Sequence, residues 1–150
     1  MSLKPVSLAL LAVLSAPVAQ AGVYTDDLSK CLVDSTTVDD RTALVKWMFA
    51  AASAHPAISS FSTVTQADRD AANQAMGQLF MKLMTESCRA QAQKALKYEG
   101  PATIQLSFQV LGQVAGAELF SNPEVAKGMA GIDQHIDHKK LDELKSEPAG

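Results

Sequence analysis

The feature that most constrains the fold of this chain is the spacing of its apolar residues, which recur every three or four positions. This period matches the α-helix, in which positions i, i+3 and i+4 share one face. The longest such run covers residues 65–99, and the sequence shows no sustained period-two alternation. The pattern predicts an all-α fold, a single bundle of about five to six helices with one long helix and one disulfide.

Start and stop signals place the helix boundaries. Thr37 and Thr65 are each followed three residues later by an aspartate, which is the pattern of a capping box. Thr25 is predicted to cap the first helix, and Gly100-Pro101 to separate the long helix from the next one. The predicted helices cover residues 24–34, 37–55, 65–99, 102–120 and 122–136, followed by a short amphipathic tail helix.

The apolar faces of these helices predict how they pack. The long helix would extend about 50 Å if it were straight, so a kink or an overhang is expected near residues 86 and 87. Residues 102–120 are apolar on nearly every side, which predicts a helix through the middle of the bundle. Phe61, in a predicted loop at 57–64, is expected to pack inward. A buried seam is predicted at Val125, Met129, Ile132 and Ile136.

Residues 1–21 have the three-part pattern of a secretory signal peptide. Lys4 provides the positive charge, residues 6–14 form the apolar segment, and Ala19-Gln20-Ala21 is a small-residue cleavage site. The apolar run is shorter than the roughly 20 residues that span a bilayer. The sequence therefore predicts a periplasmic or secreted protein with no integral membrane segment after signal removal. Residues 22–146 are predicted to form a single helical domain, and residues 147–150 a disordered tail.

The two cysteines, Cys31 and Cys88, are predicted to pair in a disulfide, because an exported chain meets an oxidising compartment. The alternative is a redox or metal pair, but the sequence has neither a C-x-x-C motif nor a third thiol. A bridge between them would close a loop of about 58 residues, which the chain-entropy model values at about 4 kcal/mol. Both cysteines lie on apolar helix faces, as a buried bridge requires.

Composition and motifs narrow the possible functions. The formal charge of −3 makes binding to nucleic-acid phosphates unfavourable, and an apolar fraction of 47% excludes a disordered chain. The sequence holds no G-x-S-x-G, H-E-x-x-H, Rossmann, phosphate-loop or EF-hand motif. No catalytic residue and no cofactor are therefore predicted.

Two groups of residues are candidates for binding. Trp47, Met48 and Phe49 form the largest aromatic cluster, and three consecutive residues cannot all face one side of a helix. They are interpreted either as core packing or as an exposed hot spot for a partner protein.

A second group of polar residues lies in the tail. Asp133, His135 and His138 have side chains that bind zinc or copper, and the two histidines are three residues apart. The competing interpretation is a solvated face of a fraying helix, and that interpretation is favoured.

Short motifs are spread over residues 27–132: Cys31-Leu-Val-Asp-Ser-Thr-Thr, Asp40-Arg41, Trp47-Met-Phe, His55-Pro56, Glu86-Ser-Cys88-Arg and Leu111-Gly-Gln-Val-Ala-Gly116. Through these motifs the chain resembles small exported, uncharacterised all-helical proteins of Gram-negative bacteria. The resemblance implies export and a disulfide-linked helical domain. It implies no activity, ligand or catalytic residue.

Two candidate functions are consistent with the sequence. The first is a non-enzymatic periplasmic protein-interaction module, either an inhibitor, an immunity-type protein or an envelope accessory protein, whose partner is an unknown periplasmic or secreted protein. The second is a carrier of a small apolar ligand, held in a pocket between the predicted third and fourth helices. An exposed apolar patch would favour the first function, and a cavity of a few hundred Å³ the second.

Overall fold

The computed structural model describes residues 22–146, and the predicted signal peptide and C-terminal tail lie outside them. Every regular element in that range is helical, which confirms the all-α prediction. The described residues form eight α-helices, more than the five to six predicted: α1 Val23–Asp34, α2 Val38–Ala52, α3 Pro56–Ser59, α4 Gln66–Lys82, α5 Arg89–Glu99, α6 Ala102–Ser121, α7 Pro123–Ala130 and α8 His138–Ser146. A π-helix, Leu83–Ser87, joins α4 to α5, and a 3₁₀-helix, Gly131–His135, follows α7.

The extra helices arise where the sequence predicted a loop or one continuous element. Pro56 occupies the first turn of α3, whose remaining residues lie in the segment 57–64 that was expected to be a loop. His55 Nδ1 accepts a hydrogen bond from the Ala57 amide at 3.2 Å. The predicted fifth helix ends early, because 3₁₀ geometry replaces α geometry at Gly131. The predicted long helix is divided by the π-helix.

Core packing explains the π-helix. Leu83 and Cys88 are both fully buried although they are five residues apart. On a regular α-helix that spacing would separate the two side chains by about 140°, and one of them would leave the core. The Cys88 amide instead donates to the Leu83 carbonyl at 2.8 Å, an i to i+5 bond that widens the turn. This interruption lies where the sequence predicted a kink.

The core forms where α1, α2 and α6 meet the long helical segment. Its fully buried side chains include Leu28 and Leu32 of α1, Leu83 of the π-helix and Leu111 of α6. Cys31 and Cys88 are disulfide-bonded with their Cα atoms 5.8 Å apart, which confirms the predicted pairing. The bridge joins α1 to the junction between the π-helix and α5.

Both predicted capping boxes are confirmed. The Thr37 side chain accepts a hydrogen bond from the Asp40 amide, and the Asp40 carboxylate accepts one from the Thr37 amide. Thr65 and Asp68 do the same at the start of α4. These reciprocal bonds satisfy amides that would otherwise have no partner at the two helix N-termini.

The prediction that Thr25 caps the first helix is wrong. Thr25 lies inside α1, whose N-cap is Gly22, and it is buried against α6, where Ser107 donates to its carbonyl at 3.1 Å. The free amides of α1 bind Glu99, at the end of α5, instead. Glu99 accepts from the Tyr24 amide, the Thr25 amide and the Thr25 hydroxyl at 2.8, 2.8 and 2.6 Å.

Two packing predictions are also wrong. Phe61 is 87% exposed, because the loop that carries it does not fold back onto the core. The predicted seam after α6 is exposed rather than buried, with Ile132 at 68%, since α7 packs on α6 and on the 3₁₀-helix while α8 makes no extensive helix contact within the described residues. α6 packs against α1, α2, α5 and α7, as predicted for a helix in the middle of the bundle, although only one of its faces is fully buried, at Thr103, Ser107, Leu111 and Ala115. Across residues 22–146, no helix combines the length and the apolar character needed to cross a membrane.

The hydrogen-bonded carboxylates predict acid-sensitive stability. Hydrogen bonds from Thr37 and from Thr65 lower the pKa of Asp40 and of Asp68, and the Thr25 hydroxyl lowers the pKa of Glu99. Because these pKa values lie below those of the unfolded chain, the stabilisation is complete above about pH 5 and is lost as the pH falls through the folded values. Urea titrations at pH 7 and pH 3 are expected to give a lower midpoint at pH 3. Asp68→Asn should reduce that difference, and an unchanged difference would contradict the assignment.

Candidate ligand-binding groove

A groove of about 850 Å³ lies between α4 and α6, with α2 as its floor. Both walls pack against α2, but the backbones of α4 and α6 hardly approach each other, so a gap remains between the two helices. The floor consists of Leu44, Trp47 and Met48. The apolar part of the α4 wall is Met76, Gly77 and Phe80, and that of the α6 wall is Ile104, Phe108 and Gly112.

Two glycines and one aromatic pair shape the groove. A Cβ atom placed on Gly77 or on Gly112 would meet no other atom within 4 Å, so both positions face open space. Phe80 and Phe108 reach across from opposite walls and stack with their ring centroids 5.1 Å apart. The glycines therefore keep the groove wide, and the stacked rings connect its two walls.

The polar groups in the groove are neutral amides. Asn73, Gln105, Gln109 and Gln113 contribute them, and none of the described residues lining the groove is charged. The Asn73 side-chain oxygen accepts a hydrogen bond from Trp47 Nε1 at 2.9 Å, which orients the indole on the floor. Such a lining suits an apolar ligand with neutral hydrogen-bonding groups, because a charged ligand would lose its hydration without gaining a counter-charge.

An ion pair holds the α6 wall on the floor helix. Arg41 of α2 lies 2.7 Å from Glu118 of α6, and it also donates to the Thr36 carbonyl at 2.7 Å. The hydrogen bond that Arg41 donates to Glu118 lowers the pKa of Glu118 and raises the pKa of Arg41. This pair lies beyond the groove along α6, so it positions the wall without placing charge in the ligand space.

The three candidate partner-binding residues lie on two faces of α2, as consecutive helical positions require. Trp47 is half-buried and Met48 is 37% exposed, and both line the groove. Phe49 is 57% exposed and lines a second cleft of about 620 Å³ between α2 and α4, together with Lys46 and Val64. The structure therefore brings two of the three candidates together and separates the third.

The groove lies between the helices predicted as the third and the fourth, where a ligand pocket was one expectation, but sequence reasoning did not identify most of its lining. Its walls contain Met76, Phe80 and Phe108, which lie outside the predicted candidate cluster of Trp47, Met48 and Phe49. The glutamines at positions 105, 109 and 113 form a stripe at i, i+4 and i+8, which is visible in the sequence. The stripe alone does not indicate a binding site, and only the position of α4 shows that it borders a groove.

The tail histidines do not form a metal site in the described residues. His138 Nε2 is 3.2 Å from an Asp133 oxygen, while His135 ends the 3₁₀-helix and Ile136 is extended. The two histidines therefore do not share a helical face. Within residues 22–146, no group of three or more His, Cys, Asp or Glu side chains is arranged to hold a metal ion.

The groove is suited chemically to binding. Its lining offers apolar surface and amide hydrogen bonds, and the described residues there carry no group that titrates near neutral pH.

Comparison of the chain with protein-family models, with curated proteins and with solved structures finds no match.

Proposed function

We propose that this chain is a non-enzymatic binding protein whose groove takes the apolar face of an amphipathic helix from a partner protein. The observation that carries the proposal is the open, uncharged groove between α4 and α6, in which Trp47, Met48 and Met76 are available for contact. Methionine and aromatic side chains adapt to varied apolar shapes, which suits helix-in-groove recognition.

The dimensions of the groove support a helical occupant. The α4 wall runs from Asn73 to Phe80, about 10 Å of helix, and the α6 wall from Ile104 to Gln113, about 14 Å. Anchor residues at i, i+3 or i+4, and i+7 of a bound helix span about 10 Å. Three such anchors therefore match the length of the apolar walls, while the glutamine amides remain near the edge of the contact.

A carrier of a small, neutral apolar ligand is the second candidate. A volume of about 850 Å³ falls within the range of small-molecule sites, roughly 300–1,000 Å³. Such sites bury most of the ligand surface. The groove is open along the gap between α4 and α6, and this openness favours a helix over a small molecule.

The proposed location is the periplasm or the exterior of the cell. The disulfide between Cys31 and Cys88 supports this location, because such bonds persist in oxidising compartments. The signal-peptide pattern at residues 1–21 supports it independently. The proposed partner is accordingly an exported protein with an amphipathic helix.

Filling the groove tests the proposed function. Gly112→Leu places a side chain in the groove, and Gly116→Leu, one turn further along α6, is the matched control because its Cβ also meets no atom within 4 Å. The probe is a fluorescent amphipathic peptide of about 15 residues with leucines at i, i+3, i+4 and i+7. Gly112→Leu is expected to weaken peptide binding at least about tenfold, and Gly116→Leu to leave it unchanged.

The carrier function is tested with a different probe, the small apolar fluorophore N-phenyl-1-naphthylamine. Binding of the fluorophore without the peptide, with loss in Gly112→Leu, would replace helix recognition by the carrier function. Binding of neither probe to the unmodified protein would overturn both. Thermal denaturation of each variant verifies that it is folded, which is expected because leucine is a better helix former than glycine.

A further inference from the structure

Gly22, the N-cap of α1, lies directly against the carboxylate of Glu99. A Cβ atom built on Gly22 would be 2.2 Å from Glu99 Oε1 and 2.7 Å from Oε2, so only glycine permits this approach. Glu99 is held in place by the Tyr24 and Thr25 amides and by the Thr25 hydroxyl. Stacking of Tyr24 on Tyr98, with centroids 5.0 Å apart, fixes the end of α5 beside the start of α1.

The same contact limits the distance between the Gly22 nitrogen and Glu99. The bonds from the nitrogen to Cα and from Cα to an ideal Cβ are each about 1.5 Å long. The nitrogen therefore lies within about 5 Å of Glu99 Oε1. Opposite charges at that distance attract each other measurably even near a protein surface.

Gly22 also follows Ala19-Gln20-Ala21, the small-residue site predicted for signal cleavage. Hydrolysis of the Ala21–Gly22 peptide bond consumes one water molecule, leaves a carboxylate on Ala21, and leaves an α-ammonium group on Gly22. We propose that removal of the signal peptide completes the cap of α1, because the new ammonium group of Gly22 pairs with Glu99. This inference rests on the proposed export of the chain and is independent of the groove.

The consequence is a fold that becomes more stable when it is processed. In the precursor, the Gly22 nitrogen is an uncharged amide, and Glu99 accepts hydrogen bonds from Tyr24 and Thr25 without this additional charge. A precursor that folds less stably stays available for export in an unfolded form. The mature chain gains the additional ion pair after cleavage, in the compartment where it must remain folded.

The sign of the charge effect makes the proposal testable. A positive charge at a helix N-terminus is normally unfavourable, because that end carries the positive pole of the helix dipole. At the start of α1, the negative carboxylate of Glu99 makes a positive charge favourable instead. Acetylation of the Gly22 nitrogen removes the ammonium charge, so it should destabilise the unmodified protein and slightly stabilise Glu99→Gln.

The experiment begins with protein recovered from the periplasm of an expressing bacterium, whose mass should show Gly22 as its first residue. Its melting temperature is compared with that of the same chain acetylated on the Gly22 nitrogen, and acetylation is expected to lower it by about 3 °C. The same pair is measured in Glu99→Gln and in Asp26→Asn, which removes an exposed first-turn carboxylate. Loss or reversal of the effect is expected in Glu99→Gln only.

Three results would overturn the proposal: a first residue other than Gly22, an equal acetylation effect with and without Glu99, or an increase in the melting temperature of the unmodified protein on acetylation. If Glu99→Gln does not fold, titration of the α-amino group in the unmodified protein decides the question. A pKa above the ordinary range of about 7.7–8.0 supports the ion pair, and an ordinary value contradicts it. The groove experiments remain interpretable under every one of these outcomes.

Discussion

Replacing both Cys31 and Cys88 by alanine is expected to lower the free energy of unfolding by about 4 kcal/mol. The bridge spans a sequence separation of 57, so its loss frees a long loop in the unfolded chain. Domains of this kind have total stabilities of about 5–15 kcal/mol, so the variant should be only marginally folded. Urea denaturation monitored by circular dichroism measures the change, with reduced unmodified protein as the parallel sample.

The double replacement separates the role of the bridge from that of the cysteine side chains. Cys88 is fully buried, and alanine keeps an apolar group at that position without introducing a polar one. The double alanine variant and the reduced unmodified protein should therefore unfold at similar urea concentrations. A loss below about 1 kcal/mol in both samples would show that core packing alone holds α1 against α5, and the assigned role of the disulfide would be wrong.

Leu111→Ala is expected to lower the free energy of unfolding by about 2–5 kcal/mol, which is the second of the two large effects expected. Leu111 is fully buried on the inner face of α6, in the same apolar cluster as Leu28 and Leu83. Truncation removes buried methyl groups and leaves a cavity that the surrounding helices can fill only in part. The measurement is again the urea midpoint, converted to free energy with the measured slope.

Leu106→Ala is the matched control, because Leu106 is on the same helix and is 40% exposed. The helix propensities of the two variants are equal, so the difference between them reports burial alone. Leu106→Ala should lower the free energy of unfolding by less than about 1 kcal/mol. Equal losses in the two variants would contradict the assignment of the buried face of α6.

Features that depend on neighbouring residues could be predicted from the sequence. The capping boxes at Thr37 and Thr65 need only a threonine and an aspartate three residues later, and both form. The pairing of Cys31 with Cys88 needed only that the chain has two cysteines. Helical periodicity likewise predicted the all-α class and most helix boundaries.

Features that depend on distant residues could not be predicted. Thr25 looked like a cap because it precedes two aspartates, but the carboxylate that binds the amides of α1 comes from Glu99, about 75 residues later in the chain. Met84 and Cys88 are four residues apart and fit an unbroken α-helix. Burial of Leu83 together with Cys88 requires the π-turn instead.

The groove is the clearest case of a feature that depends on how distant helices are arranged. Helix periodicity identifies which side chains share a face, but not whether another helix covers that face. Gly77, Gly112 and the glutamine stripe of α6 have the same sequence pattern whether the face is packed, solvated or part of a ligand site. The separation of α4 from α6 decides between these possibilities, because α4 packs on α2 while α6 packs on α1 and α2.

The sequence by itself determined the helical class, the two capping boxes and the single possible disulfide, because each follows from bonds or spacings within one segment or from the number of cysteines. Tertiary structure alone decided the cap from Glu99, the π-turn before Cys88, the exposure of Ile132 and the groove over Trp47. The physical reason is that burial and hydrogen-bond partners depend on which faces meet in space, and many arrangements of amphipathic helices satisfy the same apolar pattern.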